Sequence, residues 1–292
     1  MLDLQTVENR TMSELPALTD ALQKDLKETA RKLRVDVVRM LAKAGSGHPG
    51  GSLGMADIFT SLYFGGWLKH DAKNPHWEGR DRLVLSNGHI CPILYAALAA
   101  RGYFPAEWMD SLRQVNSHLQ GHPAMQKTPG VELSTGSLGH GICGATGMAM
   151  ALRADGGSQH VYCLTGDGEL QEGLCWEGFM AAAHYKLDNL TIIVDRNDAQ
   201  IDGKTTDIMN LEPLGDKFRA WGFKTIAING HDYGQIYSAL AEARRTKGQP
   251  TCIIAITAMG KGVSYMEKDG YKWHGKTPNA EQAALALKEL GA

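Results

Sequence analysis

The sequence predicts an α/β fold, a predominantly parallel sheet with helices on both faces. Three observations predict it. From Arg82 onward, short β-branched runs alternate with helix-periodic segments, the order that successive βαβ units produce. The runs at 161–165, 190–194 and 251–257 are apolar without polar alternation, which suits strands covered on both sides. Two of these runs end in polar clusters, Gly166-Asp167-Gly168 and Asp195-Arg196-Asn197. In open parallel sheets the carboxyl ends of strands are where ligands sit.

Taken in order, residues 1–17 are polar and aperiodic and read as an N-terminal arm. Leu22, Leu26, Ala30, Leu33, Val37 and Leu41 recur every three or four residues, predicting a helix from Leu18 with Thr19 or Asp20 as its cap. It should stop at Ala44-Gly45-Ser46-Gly47. The next stretch, His48-Pro49-Gly50-Gly51-Ser52, should be loop, because proline and its glycine neighbours oppose helix. Helix should resume over 53–62. Residues 69–82 read as charged and aromatic loop, 82–86 as a short strand, Asn87-Gly88-His89 as a break and 90–101 as helix. A short helix is expected over 105–113, loop over 117–136 and a small-residue helix over 142–153. Asp155-Gly156-Gly157 is a turn.

The central unit spans 161–203: strand, Gly-Asp-Gly loop, a helix opening after Gly168, then the second strand. Residues 204–211 read as polar loop, 213–221 as helix, 224–228 as strand and 233–247 as helix. The strand at 251–257 is followed by a loop over 258–274 holding Gly260-Lys261-Gly262, and by a last helix over 280–290. Neither an internal repeat nor a Pro/Ser-rich linker is present, so residues 1–292 read as a single domain.

Composition excludes several classes of function. A net charge of -2 gives no electrostatic reason to expect nucleic acid or a membrane surface as partner. The five cysteines are scattered and form no C-x-x-C pair, which argues against a zinc site or disulfide framework and fits a reducing cytoplasm. Neither a signal peptide nor a run of the ~18 apolar residues that span a membrane is present. The 34 glycines gather in separate clusters, around 45–54, 136–147, 166–178 and 260–262. Glycine lets a backbone approach a ligand closely, so such clusters suggest loops converging on one ligand. Ordinary turns explain any single cluster equally well.

Asp167 and Asn197 are the pair that matters chemically. Oxygen side chains at the ends of two neighbouring parallel strands can share one hard cation. Magnesium takes octahedral oxygen ligation at ~2.0–2.1 Å and is completed by substrate phosphate and water. A helix N-terminus after Gly168 would add N–H groups for the anion. For an isolated Gly-Asp-Gly, the plainer reading has the advantage: Asp167 as a helix cap and Asn197 as a turn residue.

The motifs taken together resemble transketolase. Gly166-Asp167-Gly168, followed at a distance by Asn197 at a strand end, resembles the thiamine diphosphate-binding motif. Gly45-Ser46-Gly47-His48-Pro49-Gly50, Leu85-Ser86-Asn87-Gly88-His89, Gly121-His122-Pro123, Thr135-Gly136-Ser137-Leu138-Gly139 and the run from Gly166 to Gly173 look like transketolase in transketolase order. The likeness covers roughly residues 20–280. It implies the thiamine diphosphate-binding fold of the diphosphate type.

It also implies roles. Asp167, Asn197 and the Ala199 carbonyl would hold Mg²⁺, or Ca²⁺ or Mn²⁺ in its place. His89, Gly168 and His274 would contact the diphosphate, and Gly136 would also bind the cofactor. Leu138 and Ile201 would flank the thiazolium ring. His48, His122 and His274 would line the sugar channel and shuttle protons, for which imidazole suits neutral pH. Glu172 matches the family glutamate that links two cofactor sites across a dimer; alone, it reads as an acid at a helix N-terminus. His70, His76, His118, His160, His184 and His231 keep the plain reading of surface or core histidines. Three positions depart from the family: His140 stands where glutamine is usual, Ser137 where proline is common, and Lys261 sits in a loop usually uncharged.

Whole transketolases are longer than this chain, and the domain that holds the aminopyrimidine ring has no counterpart here. Two readings follow: a truncated piece of a longer transketolase or, favoured, a natural amino-terminal subunit of a two-gene transketolase, paired with a carboxy-terminal, pyrimidine-domain subunit in an α2β2 assembly. With sugar or sugar-phosphate substrates it would transfer a two-carbon ketol unit. A decarboxylating synthase using a 2-keto acid, or a non-catalytic cofactor-binding paralogue, are the alternatives.

Overall fold

A computed structural model describes residues 15–292. The helices are α1 (Asp20–Ala44), α2 (Pro49–Gly54), α3 (Ala56–Phe64), α4 (Cys91–Ala100), α5 (His140–Ala154), α6 (Gly173–His184), α7 (Thr205–Ile208), α8 (Leu214–Ala220), α9 (Tyr233–Arg245), α10 (Ser264–Asp269) and α11 (Ala280–Glu289). The strands are β1 (Arg82–Leu85), β2 (Val161–Gly166), β3 (Leu190–Arg196), β4 (Lys224–Asn229) and β5 (Thr251–Ile256). Among the described residues the strands form one parallel sheet in the order β1-β2-β3-β5-β4.

The sheet is covered on both faces, and the strand residues show why. Along β2, Tyr162 and Leu164 enter one apolar cluster, while Val161 and Cys163 enter the other. On β3, Ile193 faces the first and Ile192 and Val194 the second. Alternate residues of a strand point to opposite faces, so a run with no polar alternation needs cover on both. The first cluster is closed by α1, α3, α4 and α9, through residues such as Leu33, Phe59, Leu94 and Ile236. The second is closed by α5, α6 and α8, through Ile142, Phe179 and Phe218.

The first helix begins at Asp20, where the Thr19 side chain accepts from the Leu22 N–H at 3.2 Å, and it ends at Gly45 in the left-handed conformation. Its buried stripe includes Leu26, Ala30, Leu33, Val37 and Leu41, the three-or-four spacing seen in sequence.

Several boundaries differ from the sequence reading. The stretch after His48 is helix, not loop, because Pro49 occupies the first turn of α2, where its missing N–H would have no partner anyway. Leu53 belongs to that helix, and α3 starts only at Ala56. The 105–113 segment is a 3₁₀ turn, Ala106–Ser111. Helix α7 lies inside the expected polar loop, and α10 inside the expected 258–274 loop. Strand β3 runs on to Arg196, so Asp195 and Arg196 still belong to the sheet. Of the expected N-terminal arm, residues 1–14 lie outside the described residues, whereas Leu15 packs against the first core cluster. No described helix is long and apolar enough to cross a membrane.

Candidate functional site

The carboxyl ends of β1, β2 and β3 carry the chemistry. Parallel register places Gly166 opposite Asp195, so the residues after each strand emerge side by side. Asp167 is 1% exposed. Its Oδ1 accepts from the Gly168 N–H at 2.8 Å and its Oδ2 from the Asp198 N–H at 2.8 Å. Arg196 Nη1 lies 3.2 Å from the same Oδ2. Burial pushes the Asp167 carboxyl up to about 6, although Arg196 and the two N–H donors pull the other way. The local charge is therefore undercompensated.

Asp195, also buried, accepts from Asn197 Nδ2 at 2.8 Å and from the Thr257 hydroxyl. Burial pushes the Asp195 carboxyl up to about 7, with the charge of Asp167 adding to the effect. Because Asp195 engages the amide NH₂, the Asn197 oxygen is left on the loop side, where it accepts from the Ala199 N–H at 3.0 Å. The buried Asp167 carboxylate and the Asn197 amide oxygen make a hard, oxygen-only donor set. That set fits Mg²⁺, which keeps waters and substrate phosphate as further ligands. Among the described residues no cluster of three or more His, Cys, Asp or Glu forms a metal cage, and this donor set does not need one.

The α-helix does not open directly after Gly168. Gly168–Gln171 is a 3₁₀ turn, and α6 starts at Gly173. Asp167 does cap that turn through the Gly168 N–H. Glu172 is exposed at the N-cap of α6 without a capping hydrogen bond of its own.

Histidines from three distant segments meet. Ring centroids of His48 and His89 lie 4.9 Å apart, those of His48 and His274 5.5 Å, and those of His89 and His274 5.0 Å. His122 stands beside the same loops: a Cβ on Gly136 would come within 3.0 Å of its ring. That glycine has φ +141°, so any side chain there would meet both strain and collision. Burial is the main cause of depressed basicity in all four imidazoles, and their mutual repulsion adds to it at His48 and His89. His48 falls to about 4.

The unfolded chain binds a proton at His48 from pH ~6.5 downward, and the folded chain refuses it until about 4. Stability contributed by neutral His48 is thus complete above ~6.5 and is lost as pH falls through this window. An NMR titration of the imidazole C2 proton should find His48 ionising near 4. Ionisation at the ordinary histidine value would contradict its burial as a neutral ring.

Leu138 is half-buried, and Ile201 is 71% exposed on a turn closed by the Gln200–Gly203 bridge. His140 is exposed as the first residue of α5, Ser137 is exposed one turn before it, and Lys261 pairs with Glu267 at 3.6 Å.

Sequence reasoning missed Glu169. It is 2% exposed and receives four hydrogen bonds. Ser86 Oγ and the Gly139 N–H reach Oε1 at 2.5 and 2.9 Å, and Thr165 Oγ1 and the Gly166 N–H reach Oε2 at 2.6 and 3.2 Å. One carboxylate thus joins the loop after β1, the end of β2 and the Leu138-bearing loop before α5. Its position directly after Gly168 was the only signal, since its partners lie as far as 83 residues away.

His231, read from sequence as a plain surface or core histidine, has a structural role, though its partners were not foreseen. Its Nε2 accepts from the Ala258 N–H at 2.9 Å, so Nδ1 carries the proton and donates to Asp57 at 2.8 Å. Arg34 and Tyr233 complete the buried group around Asp57. This ties the 258–262 loop to α1, α3 and the start of α9.

The family described as "Transketolase, thiamine diphosphate binding domain" matches residues 22–292. The 6-deoxy-6-sulfo-D-fructose transketolase subunit SqwG of Clostridium sp. (strain MSTE9) is 44% identical over 245 residues, 84% of this chain and 89% of that protein. An apulose-4-phosphate transketolase subunit of Actinobacillus succinogenes is 41% identical over 271 residues, 93% of this chain and 96% of that protein. Transketolase from Campylobacter jejuni superposes with a TM-score of 0.86 at 38% identity, over 94% of this chain but 43% of its own. Against such full-length transketolases the chain spans about two fifths of their length. A family match over residues 22–292 and relatives this similar along most of their length show that the chain belongs to the transketolase thiamine diphosphate-binding domain family.

Proposed function

We propose that this chain is the diphosphate-binding subunit of a thiamine diphosphate- and Mg²⁺-dependent transketolase, active only with a pyrimidine-domain partner. The observation that carries this reading is the likeness to proteins named as transketolase subunits, 44% and 41% identical over 89% and 96% of their own lengths. The whole of residues 1–292 then acts as one cofactor-binding domain, in a cytoplasmic α2β2 assembly serving sugar-phosphate metabolism.

When bound, thiamine diphosphate supplies the carbon nucleophile that carries the two-carbon unit. Asp167, the Asn197 amide oxygen and the Ala199 carbonyl would hold the metal, His89, Gly168 and His274 would contact the diphosphate, and Gly136 would also bind the cofactor. Leu138 and Ile201 flank the thiazolium, the exposed Ile201 gaining cover only on assembly. His48, His122 and His274 bind the hydroxyls of a ketose donor and an aldose acceptor. Kept neutral by burial, each offers a nitrogen lone pair that takes a proton from a substrate hydroxyl and returns it. Glu172, exposed at the start of α6, is left for a contact across the assembly.

The test is a ketol-transfer assay on this chain, on its partner and on their mixture, with a ketose phosphate and an aldose phosphate. Activity should require the mixture. Full activity of the chain alone would overturn the two-subunit reading, and release of carbon dioxide from a 2-keto acid would favour a decarboxylating synthase.

A further inference from the structure

Arg113 stands out on two independent counts. Its backbone is left-handed, with φ 64°, a conformation that is strained for a residue with a side chain. The strained backbone is held in place by its N–H, which donates to the Leu119 carbonyl at 2.9 Å. Its guanidinium, too, has no countercharge among the described residues. Among the described residues it makes no ion pair and donates no hydrogen bond to protein; the acid nearest in sequence, Asp110, is taken by Lys43 at 3.1 Å.

The position of that guanidinium is specific. A Cβ placed on Gly121 would lie 2.8 Å from Nε and 3.0 Å from Nη2, and one on Gly47 would lie 3.4 Å from Nη1. Gly47 and Gly121 immediately precede His48 and His122. The guanidinium is therefore seated between the two backbone segments that carry these imidazoles, against glycines whose bareness gives it room. After burial and His274, its charge further lowers the basicity of His48; at His122 it acts second to burial. An arginine in this setting is a fork of N–H donors aimed at an anion, at the edge of the histidine cluster and exposed to incoming solute.

We propose that Arg113 is a specificity-determining residue that recognises an anionic oxygen group, phosphate or sulfonate, on the sugar whose hydroxyls meet His48 and His122. This rests on the ketol-transfer reading of the site. It places part of the recognition of an acidic sugar on this chain rather than wholly on a partner.

Two measurements test it separately from that reading. In the first, the full-length chain is titrated with inorganic phosphate, with methanesulfonate and with ribose, following the His48 and His122 imidazole resonances. At least one anion should shift both resonances, and the stronger of the two identifies the group preferred. Arg113→Gln should weaken that response about tenfold, the loss expected for a charge-assisted hydrogen bond. Arg113→Lys should retain part of it, and the response to ribose should not change. Arg113→Gly serves as a second variant, because it keeps the left-handed backbone while removing the guanidinium. Resonances that ignore both anions, or that respond equally in Arg113→Gln, would overturn the proposal.

In the second, kcat/KM of the chain mixed with its partner is compared for phosphorylated and neutral aldoses. Arg113→Gly should lower the phosphorylated-to-neutral ratio about tenfold through KM; equal losses for both sugars would overturn the proposal. A mixture without ketol transfer would refute the proposed function, and the anion titration would still decide the role of Arg113.

Discussion

Asp167→Ala should weaken Mg²⁺-dependent binding of thiamine diphosphate by more than about a hundredfold, exceeding the 10–100-fold typical when only an outer partner of a metal ligand is lost. The expectation rests on where the carboxylate lies. It is almost wholly buried at the end of β2, and burial raises its pKa despite Arg196 and two N–H donors. A buried, undercompensated carboxylate gains most from a divalent cation. Asn197→Ala should act in the same direction, since it removes the amide oxygen that Asp195 orients by engaging the NH₂ group. Calorimetry of each variant with cofactor and Mg²⁺, alongside denaturant unfolding without them, separates ligand loss from unfolding. Cofactor affinity that survives Asp167→Ala would reject the metal assignment.

Glu169→Ala should destabilise the chain by about 3–5 kcal/mol, because the loss of one buried carboxylate strands several donors together. The Ser86 and Thr165 hydroxyls can rotate towards other acceptors. The Gly139 and Gly166 N–H groups are fixed in the backbone and cannot. Glu169→Gln keeps the shape but turns an NH₂ towards one N–H and one hydroxyl, so its cost should fall between parent and alanine variant. Cofactor binding should weaken in both, since the same carboxylate sets the Gly136–Gly139 loop against the end of β1. Urea unfolding at neutral pH gives the first quantity, and calorimetry with thiamine diphosphate the second. A midpoint for Glu169→Ala equal to that of the parent would remove Glu169 from any structural role.

The parts of the site legible in sequence are those with local signatures. Gly166-Asp167-Gly168 and Asn197 each follow an apolar run, and a strand end can be read from composition alone. His48, His89 and His122 each sit in a short glycine-flanked motif that can be recognised without knowing its neighbours. The residues that sequence does not reveal act through distant partners. Glu169 is bonded across 83 residues to Ser86, and Asp57 across 174 to His231. Arg113 lies in a segment with no motif, and its interest comes from a backbone angle and an absent countercharge that no spacing reveals. The difference at Pro49 has another origin. Proline reads as a helix breaker in sequence, whereas in the first turn of a helix it is well placed.

The sequence by itself determined the class of fold, because burial on both faces of a strand leaves an unbroken apolar run and one helix face leaves a periodic one. It also carried, in motifs short enough to be read in one dimension, the resemblance to the transketolase thiamine diphosphate-binding family that the family match bears out. Tertiary structure alone decided the strand order β1-β2-β3-β5-β4 and the gathering of His48, His89 and His274. It alone decided the buried Glu169 that joins the loops after β1 and β2 to the loop before α5. The physical reason is that hydrophobic periodicity is a property of neighbours along the chain, whereas hydrogen bonds and desolvation depend on which distant segments the packed sheet brings together.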